Sequence, residues 1–307
     1  MKDQQTESIY LGASQVRLSP LGVGTNFWGS NRQADPGLQP VLDAALEMGI
    51  NFFDTAEVYG FCGSERTLGQ FLPSAGQKVV IATKFFPMPW RLGKSNLDAA
   101  LRDSLERLHV AQVDLYMIHF PIPPVAIETW MEALADAVEA GLTQTVGVSN
   151  YNPEQMARAH AVLTKRGIPL ACNQVEYNLL KRGAERSGLL ALCRQLGVTL
   201  VAYRPVASGL LAGKYTLDNP PQGWRGRLYN RQLLARVQPL IDLLRHIGSV
   251  HGGKTPSQVA LNWLICKGAL PIPGATKVEH MRENAGALGW RLADDEVAAL
   301  DRASAKI

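Results

Sequence analysis

The 307-residue chain has only four cysteines, and no two of them form a Cys-x-x-Cys pair. Cys62, Cys172, Cys193 and Cys266 fit no zinc spacing, so in a chain of this length they read as reduced thiols in a reducing compartment. No run of about eighteen apolar residues is present, which leaves no candidate for a membrane-spanning helix. Met1 to Tyr10 is polar and lacks the apolar centre of a secretory signal. A large excess of one charge is also missing. The 31 Lys+Arg against 27 Asp+Glu leave a net +4, too little to imply nucleic acid or a membrane surface, although it suits a small anionic ligand. Glycine (28) and proline (18) stay below low-complexity levels, and 46% hydrophobic residues supply ample material for a core. A soluble cytoplasmic protein, or the mature form of an organellar one, is expected.

Several nucleotide and hydrolase signatures are absent too. Gly22-Val23-Gly24 lacks the third glycine of a dinucleotide fingerprint. Gly209 to Lys214 has three residues between its glycines where a phosphate loop needs four, and Tyr215 stands where Ser or Thr is required. Gly147-Val148-Ser149 is followed by Asn150-Tyr151, which is no nucleophile elbow, and there is no His-Glu-x-x-His.

What is present is an alternation. Short apolar runs near 21–24, 51–54, 79–84, 113–119, 145–149, 171–176, 199–203 and 269–272 read as strands, and the first seven recur every 26 to 34 residues. That interval is the footprint of one βα unit. Between them lie helical patterns. Pro40 opens one; Leu97, Leu101, Leu105 and Leu108 form a stripe on another; Asn152-Pro153 and Thr255-Pro256 each pair a capping residue with a first-turn proline. Eight such alternations predict a closed (β/α)₈ barrel over residues 1–307 as one domain, with an open doubly wound sheet as the rival. Ile9–Leu18, with Gly12-Ala13-Ser14 at its centre, reads as a β-hairpin before the barrel. The long stretch from Leu210 to Gly253 holds an extra helix at Leu233–Ile247.

A parallel barrel carries its site at the carboxyl ends of its strands. Those positions here hold Asp54, Lys84, His119, Ser149-Asn150, Gln174, Tyr203-Arg204 and Gly274. Asp54 and Lys84 on adjacent strands can form a buried ion pair, an arrangement seldom kept for stability alone. Tyr59 follows Asp54 by five residues and can fold back over the mouth. An ammonium beside it is expected to lower its pKa and make it a proton donor near neutral pH. His119 is placed to orient a substrate oxygen.

The stretch Asp54-Thr55-Ala56-Glu57-Val58-Tyr59-Gly60 resembles the signature of the aldo-keto reductase family. Further matches follow in family order: Lys84, His119, Gly147-Val148-Ser149-Asn150, Gln174, Tyr203-Arg204-Pro205, Gly209 to Tyr215 and Ile272-Pro273-Gly274-Ala275. The resemblance implies a (β/α)₈ fold and hydride exchange between a nicotinamide and a small-molecule aldehyde or ketone. It makes Tyr59 the general acid, with Asp54, Lys84 and His119 tuning it. Ser149, Asn150 and Gln174 would hold the carboxamide, Tyr203 would stack on the nicotinamide, and Lys214 would approach the pyrophosphate. Thr25, Asp54, Arg204, Pro205, Val206, Ser208, Arg227, Gly274, Thr276 and Lys277 complete the cofactor contacts it implies, with Glu283 and Asn284 facing the adenine.

Many relatives place an arginine on the 2′-phosphate where this chain has His280, a poorer clamp than a guanidinium. Lys277, Arg282, Arg225 and Arg227 are candidate substitutes. NADPH is the expected cofactor, NADH the alternative. Phe27, Trp28, Phe85, Phe86, Trp90 and Phe120 cluster near the mouth by sequence and are candidates for an apolar substrate pocket. The segments Pro89-Trp90-Arg91-Leu92, Trp263 to Gly268 and Gly286 to Trp290 resemble plant-chloroplast and cyanobacterial members, which raises pyridoxal and short reactive aldehydes as substrates. No metal is needed, and a monomer or weak homo-oligomer is expected. Two other readings stand behind reduction: a nicotinamide-binding sensor or auxiliary subunit with little turnover, and a Schiff-base lyase using Lys84.

Overall fold

The computed structural model describes residues 8–29, 32–223, 226 and 229–307. Arg225 and Arg227 lie outside the described residues. Eight strands form one sheet in the order β10-β9-β8-β7-β6-β5-β4-β3, every pair parallel. They are β3 (Gly22–Gly24), β4 (Phe52–Asp54), β5 (Val80–Phe85), β6 (Val113–Ile118), β7 (Thr143–Ser149), β8 (Leu170–Glu176), β9 (Thr199–Tyr203) and β10 (Ala269–Pro271). A parallel bridge between Gly24 and Gly274, with the Gly24 N–H donating to the Pro273 carbonyl at 3.0 Å, brings the two ends of the sheet together into a barrel.

The expected hairpin is also present. β1 (Ile9–Tyr10) pairs antiparallel with β2 (Arg17–Leu18). Its Leu11, Val16 and Leu18 join the inward residues Phe52, Val80, Ala82, Leu115, Met117, Cys172 and Val201 in one buried cluster. The hairpin therefore floors the barrel. Gly12 makes this docking possible: its φ is +55°, and a Cβ there would stand 2.3 Å from the Ala171 carbonyl oxygen.

Helices wrap the outside, each held by its own sequence signals. The stripe Leu97, Leu101, Leu105 and Leu108 is buried on the helix Lys94–Leu108. Asn152 and Thr255 both form full capping boxes, with Gln155 and Gln258, ahead of a first-turn proline. The extra helix of the long segment spans Arg231–Val250 and buries Leu234, Val237, Leu240, Ile241 and Leu244. None of the helices among the described residues is long and apolar enough to cross a membrane.

Two of the expected pocket residues are placed elsewhere, Phe85 by strand alternation and Trp28 by the turn after β3. Lys84 faces the barrel axis, so its neighbour Phe85 faces outward. Phe85 is fully buried, 5.1 Å from the Trp130 ring, and lines no mouth. Trp28 is corrected likewise. It is buried behind the barrel wall against Phe53 and Phe71, and its indole N–H donates to the Ala275 carbonyl at 2.7 Å.

Candidate active site

Above the apolar layers of the interior, the carboxyl ends of the strands carry a polar layer. Asp54 closes β4, and Lys84, on β5, is fully buried beside it. The Lys84 ammonium donates to Asp54 Oδ2 at 2.7 Å, to the Thr55 carbonyl at 2.8 Å and to the Tyr59 hydroxyl at 3.3 Å. An ammonium has three protons, and all three are engaged. Because Tyr59 accepts from Lys84, its own hydroxyl proton is left to point elsewhere. Burial works against the charge on Lys84, but Asp54 and Tyr59 outweigh it and the pKa is raised. The group remains a cation, unsuited to act as a free amine nucleophile.

The expected lowering of the Tyr59 pKa is not what the structure gives. Burial raises it, Lys84 opposes this, and the net shift is upward. Desolvation of a phenolate outweighs one neighbouring cation here. The phenol is thus fully protonated at neutral pH, as a donor must be. His119 packs edge-on to Tyr59 with ring centroids 5.7 Å apart. Burial first, then Lys84, lowers its pKa to about 3, so the imidazole is neutral. Its Nδ1 is buried without a partner.

A chain of hydrogen bonds leads from Asp54 around the barrel. Gln174 Nε2 donates to Asp54 Oδ1 at 2.7 Å, and Ser149 Oγ donates to the Gln174 carbonyl at 2.9 Å. Asn150 Nδ2 donates to Ser149 Oγ at 3.0 Å and to the His119 carbonyl at 3.1 Å, while the Tyr203 hydroxyl donates to Asn150 Oδ1 at 3.0 Å. The six residues Asp54, Lys84, His119, Ser149, Asn150 and Gln174, far apart in sequence, are thus brought together with Tyr59 and Tyr203.

Other expected contacts lie where the strands open to solvent. Gly274, Thr276, Lys277 and His280 are exposed, as are Arg204 and Lys214. Pro205 is buried, and Val206 and Ser208 are half-buried. Arg204 stands 3.8 Å from Glu176, and the Lys214 ammonium lies over the Tyr215 ring. Lys277 is the N-cap of the helix Val278–Ala285 and makes no side-chain cap bond. Asn284 is buried, its amide reaching the Gly274 carbonyl at 3.5 Å, whereas the Glu283 carboxylate accepts from the Thr255 hydroxyl. Thr25 departs from expectation. It is fully buried and gives both its N–H and its hydroxyl to the Asp54 carbonyl, so its polar groups serve the loop itself. Phe120 stacks on His119 at 5.0 Å, and Trp90 is 72% exposed.

Two residues were missed by sequence reasoning. Ser64 joins Thr25 and Thr55 through hydroxyl contacts of 2.7 and 2.8 Å. Glu57 is buried and paired with Arg91 at 2.5 Å. Phe86, one of the aromatics expected at the mouth, packs against His119. The one signal in the sequence was an acidic residue, Glu57, inside the Asp54–Gly60 motif.

Among the described residues, seven of the eight non-glycine positions with positive φ lie on loops that follow strands at this mouth: Arg32, Phe61, Cys62, Asn150, Arg204, Ala207 and Ser208. Such strain clusters where surrounding structure holds a ligand site in shape. A neutral imidazole with an unpartnered nitrogen at one end, and an exposed lysine at an uncapped helix N-terminus at the other, fit a ligand with an aromatic head and a phosphate-bearing tail.

A sequence profile of the Aldo/keto reductase family matches residues 20–305. The chain is 41% identical to the chloroplastic pyridoxal reductase of Arabidopsis thaliana, over 94% of this chain and 84% of that one. It is 32% identical to the NADP(+) aldo-keto reductase of Schizosaccharomyces pombe, over 90% and 84%. The solved glycerol dehydrogenase of Gluconobacter oxydans superposes with a TM-score of 0.88 at 27% identity, covering 98% of this chain and 96% of that one. Taken with a barrel whose motif residues converge at one mouth, these likenesses establish that the chain belongs to the aldo/keto reductase family of nicotinamide-using oxidoreductases.

Proposed function

We propose that the chain reduces a small or aromatic aldehyde to its alcohol with NADPH, Tyr59 giving the proton. The observation that carries this is the Tyr59 hydroxyl at 3.3 Å from a Lys84 ammonium whose other two protons are already committed. When bound, the nicotinamide supplies a hydride to the carbonyl carbon. Tyr59 donates its proton to the carbonyl oxygen, and the phenolate left behind faces Lys84. Asp54 keeps that lysine charged and in place, and Gln174 fixes Asp54. Neutral His119 hydrogen-bonds the carbonyl oxygen and positions it without competing as an acid. Ser149, Asn150 and Gln174 would hold the carboxamide, and Tyr203 the ring face.

Lys277 would meet the 2′-phosphate in place of the missing arginine, helped by the uncapped helix N-terminus at which it stands. The likeness to a pyridoxal reductase supports pyridoxal or a similar aromatic aldehyde as substrate. Phe86, Trp90 and Phe120 would line its pocket. The test is steady-state oxidation of NADPH and of NADH over a panel of aldehydes that includes pyridoxal. Turnover with NADPH and an aromatic aldehyde is expected. No turnover with any aldehyde or ketone, in a protein that binds NADPH, would instead make it a sensor.

A further inference from the structure

Tyr59 is not held in place by its own strand. β4 ends at Asp54, and the phenol stands on an irregular loop with a 3.3 Å contact to Lys84 as its hydrogen bond. Backbone bonds from the Thr55 N–H to the Ala82 carbonyl at 2.8 Å and from the Glu57 N–H to the Lys84 carbonyl at 3.5 Å tie the start of that loop to β5, and a side chain extends the tie beyond Lys84. In the middle of the loop sits Glu57, with a side chain only 9% exposed. Burying a carboxylate is costly unless it is paired, and nothing on its own loop pairs with it. Its Oε1 instead accepts the Phe86 backbone N–H at 2.6 Å and the Arg91 Nη1 at 2.5 Å, both across the gap on the segment that follows Lys84.

Arg91 in turn donates to the Phe86 carbonyl at 3.2 Å and lies over the Phe85 ring at 5.0 Å. Phe86, gripped at both its N–H and its carbonyl, presents its ring to His119 at 5.5 Å. On either side of Arg91, Trp90 and Leu92 are 72% and 59% exposed, although both are apolar. One ion pair therefore ties together the loop of the proton donor, the strand end of its lysine, the ring beneath the imidazole and a loop that offers apolar side chains at the mouth.

Resting on the reading of Tyr59 as proton donor, we propose that the Glu57–Arg91 pair is a latch of positioning residues. It sets the Tyr59–Lys84 alignment and seats the 86–93 loop against substrate. Neither residue touches the reacting atoms. The intact pair and the double variant carry the same net charge, so the double variant reads alignment apart from the field, while each single variant leaves one charge unbalanced.

The experiment uses Glu57→Gln, Arg91→Met, the double variant and Arg91→Lys. It measures single-turnover NADPH oxidation with propanal and with an aromatic aldehyde, NADPH affinity by fluorescence quenching, and thermal melting to normalise for folded protein. Each single variant is expected to lose tenfold or more in kcat/KM with NADPH affinity within twofold of wild type. The double variant should be no worse than the poorer single one, because both remove the same contact. Arg91→Lys should recover part of the loss. Rates per folded molecule within twofold of wild type, additive losses, or a fall in NADPH affinity that accounts for the whole effect would overturn the proposal. Should Glu57→Gln not fold, the Arg91 variants decide it, since that side chain is 29% exposed. A wild type silent toward every aldehyde overturns the reading of the site instead.

Discussion

Replacing Lys84 with methionine keeps an unbranched side chain, one atom shorter, and removes the charge together with the three hydrogen bonds it donates. In the transition state for reduction, negative charge builds on the Tyr59 oxygen, 3.3 Å from the Lys84 nitrogen. A unit pair at that separation, at an effective dielectric of about 20, is worth roughly 5 kcal/mol. Charge transfer is partial at the transition state, so a loss of about 3–5 kcal/mol in activation is expected, a rate fall of some 10² to 10⁴. A second cost comes from Asp54, which is 2% exposed and loses its ammonium partner. An uncompensated buried carboxylate destabilises the fold by about 3–5 kcal/mol. The two effects separate when stopped-flow NADPH oxidation is scaled by the folded fraction from a urea titration. A second replacement, Asp54→Asn with Lys84→Met, should regain stability without regaining rate. A single-turnover rate within tenfold of wild type, per folded Lys84→Met molecule, would refute the electrostatic role of the lysine.

Other outcomes follow from the same geometry. Burial holds the Tyr59 phenol above its ordinary value despite Lys84, so the reduction rate should be flat from about pH 6 to 9, while oxidation of the alcohol should climb across that range; a reduction rate that falls below pH 8 would contradict this. Burial keeps His119 neutral, with its pKa at about 3 against an ordinary 6.5. The unfolded chain then takes up a proton that the folded one refuses, so this contribution to stability is present above pH 6.5 and lost as pH falls toward 3. Urea titrations at pH 7 and 4.5 should show a smaller acid loss for His119→Gln than for wild type, and equal losses would contradict it. Lys277→Ala should weaken NADPH about tenfold and leave NADH unchanged, as read by fluorescence quenching; an equal effect on both would remove Lys277 from the 2′-phosphate. Gly12→Ala should cost about 3 kcal/mol, because the new methyl meets the Ala171 carbonyl from a left-handed backbone; a melting temperature within 2 °C of wild type would count against the hairpin as a docked floor.

Much of the scaffold was legible because its signals are local. Thr199–Tyr203 is a strand at the residues its β-branched run marked, and the Asn152 and Thr255 caps start helices where the proline pairs placed them. The Asp54–Lys84 pair followed from two charged residues closing adjacent apolar strands. What remained illegible depends on direction and depth. Trp28 and Phe85 look like mouth residues by position, yet Phe85 alternates with the inward Lys84, and Trp28 turns back beneath the wall. The sign of the Tyr59 shift depends on how dry the site is, which neighbouring residue types do not reveal. Thr25 keeps its hydroxyl for Asp54 and Ser64, a choice made by partners brought close only by the fold. The Glu57–Arg91 pair joins residues 34 apart, a separation with no helical or strand period to announce it.

The most direct measurement is the single-turnover rate of NADPH oxidation by Tyr59→Phe at saturating aromatic aldehyde, alongside its NADPH dissociation constant. Loss of the hydroxyl that faces Lys84 should slow turnover at least a thousandfold while cofactor affinity stays within twofold of wild type. A rate within tenfold of wild type would mean that the proton comes from somewhere other than Tyr59.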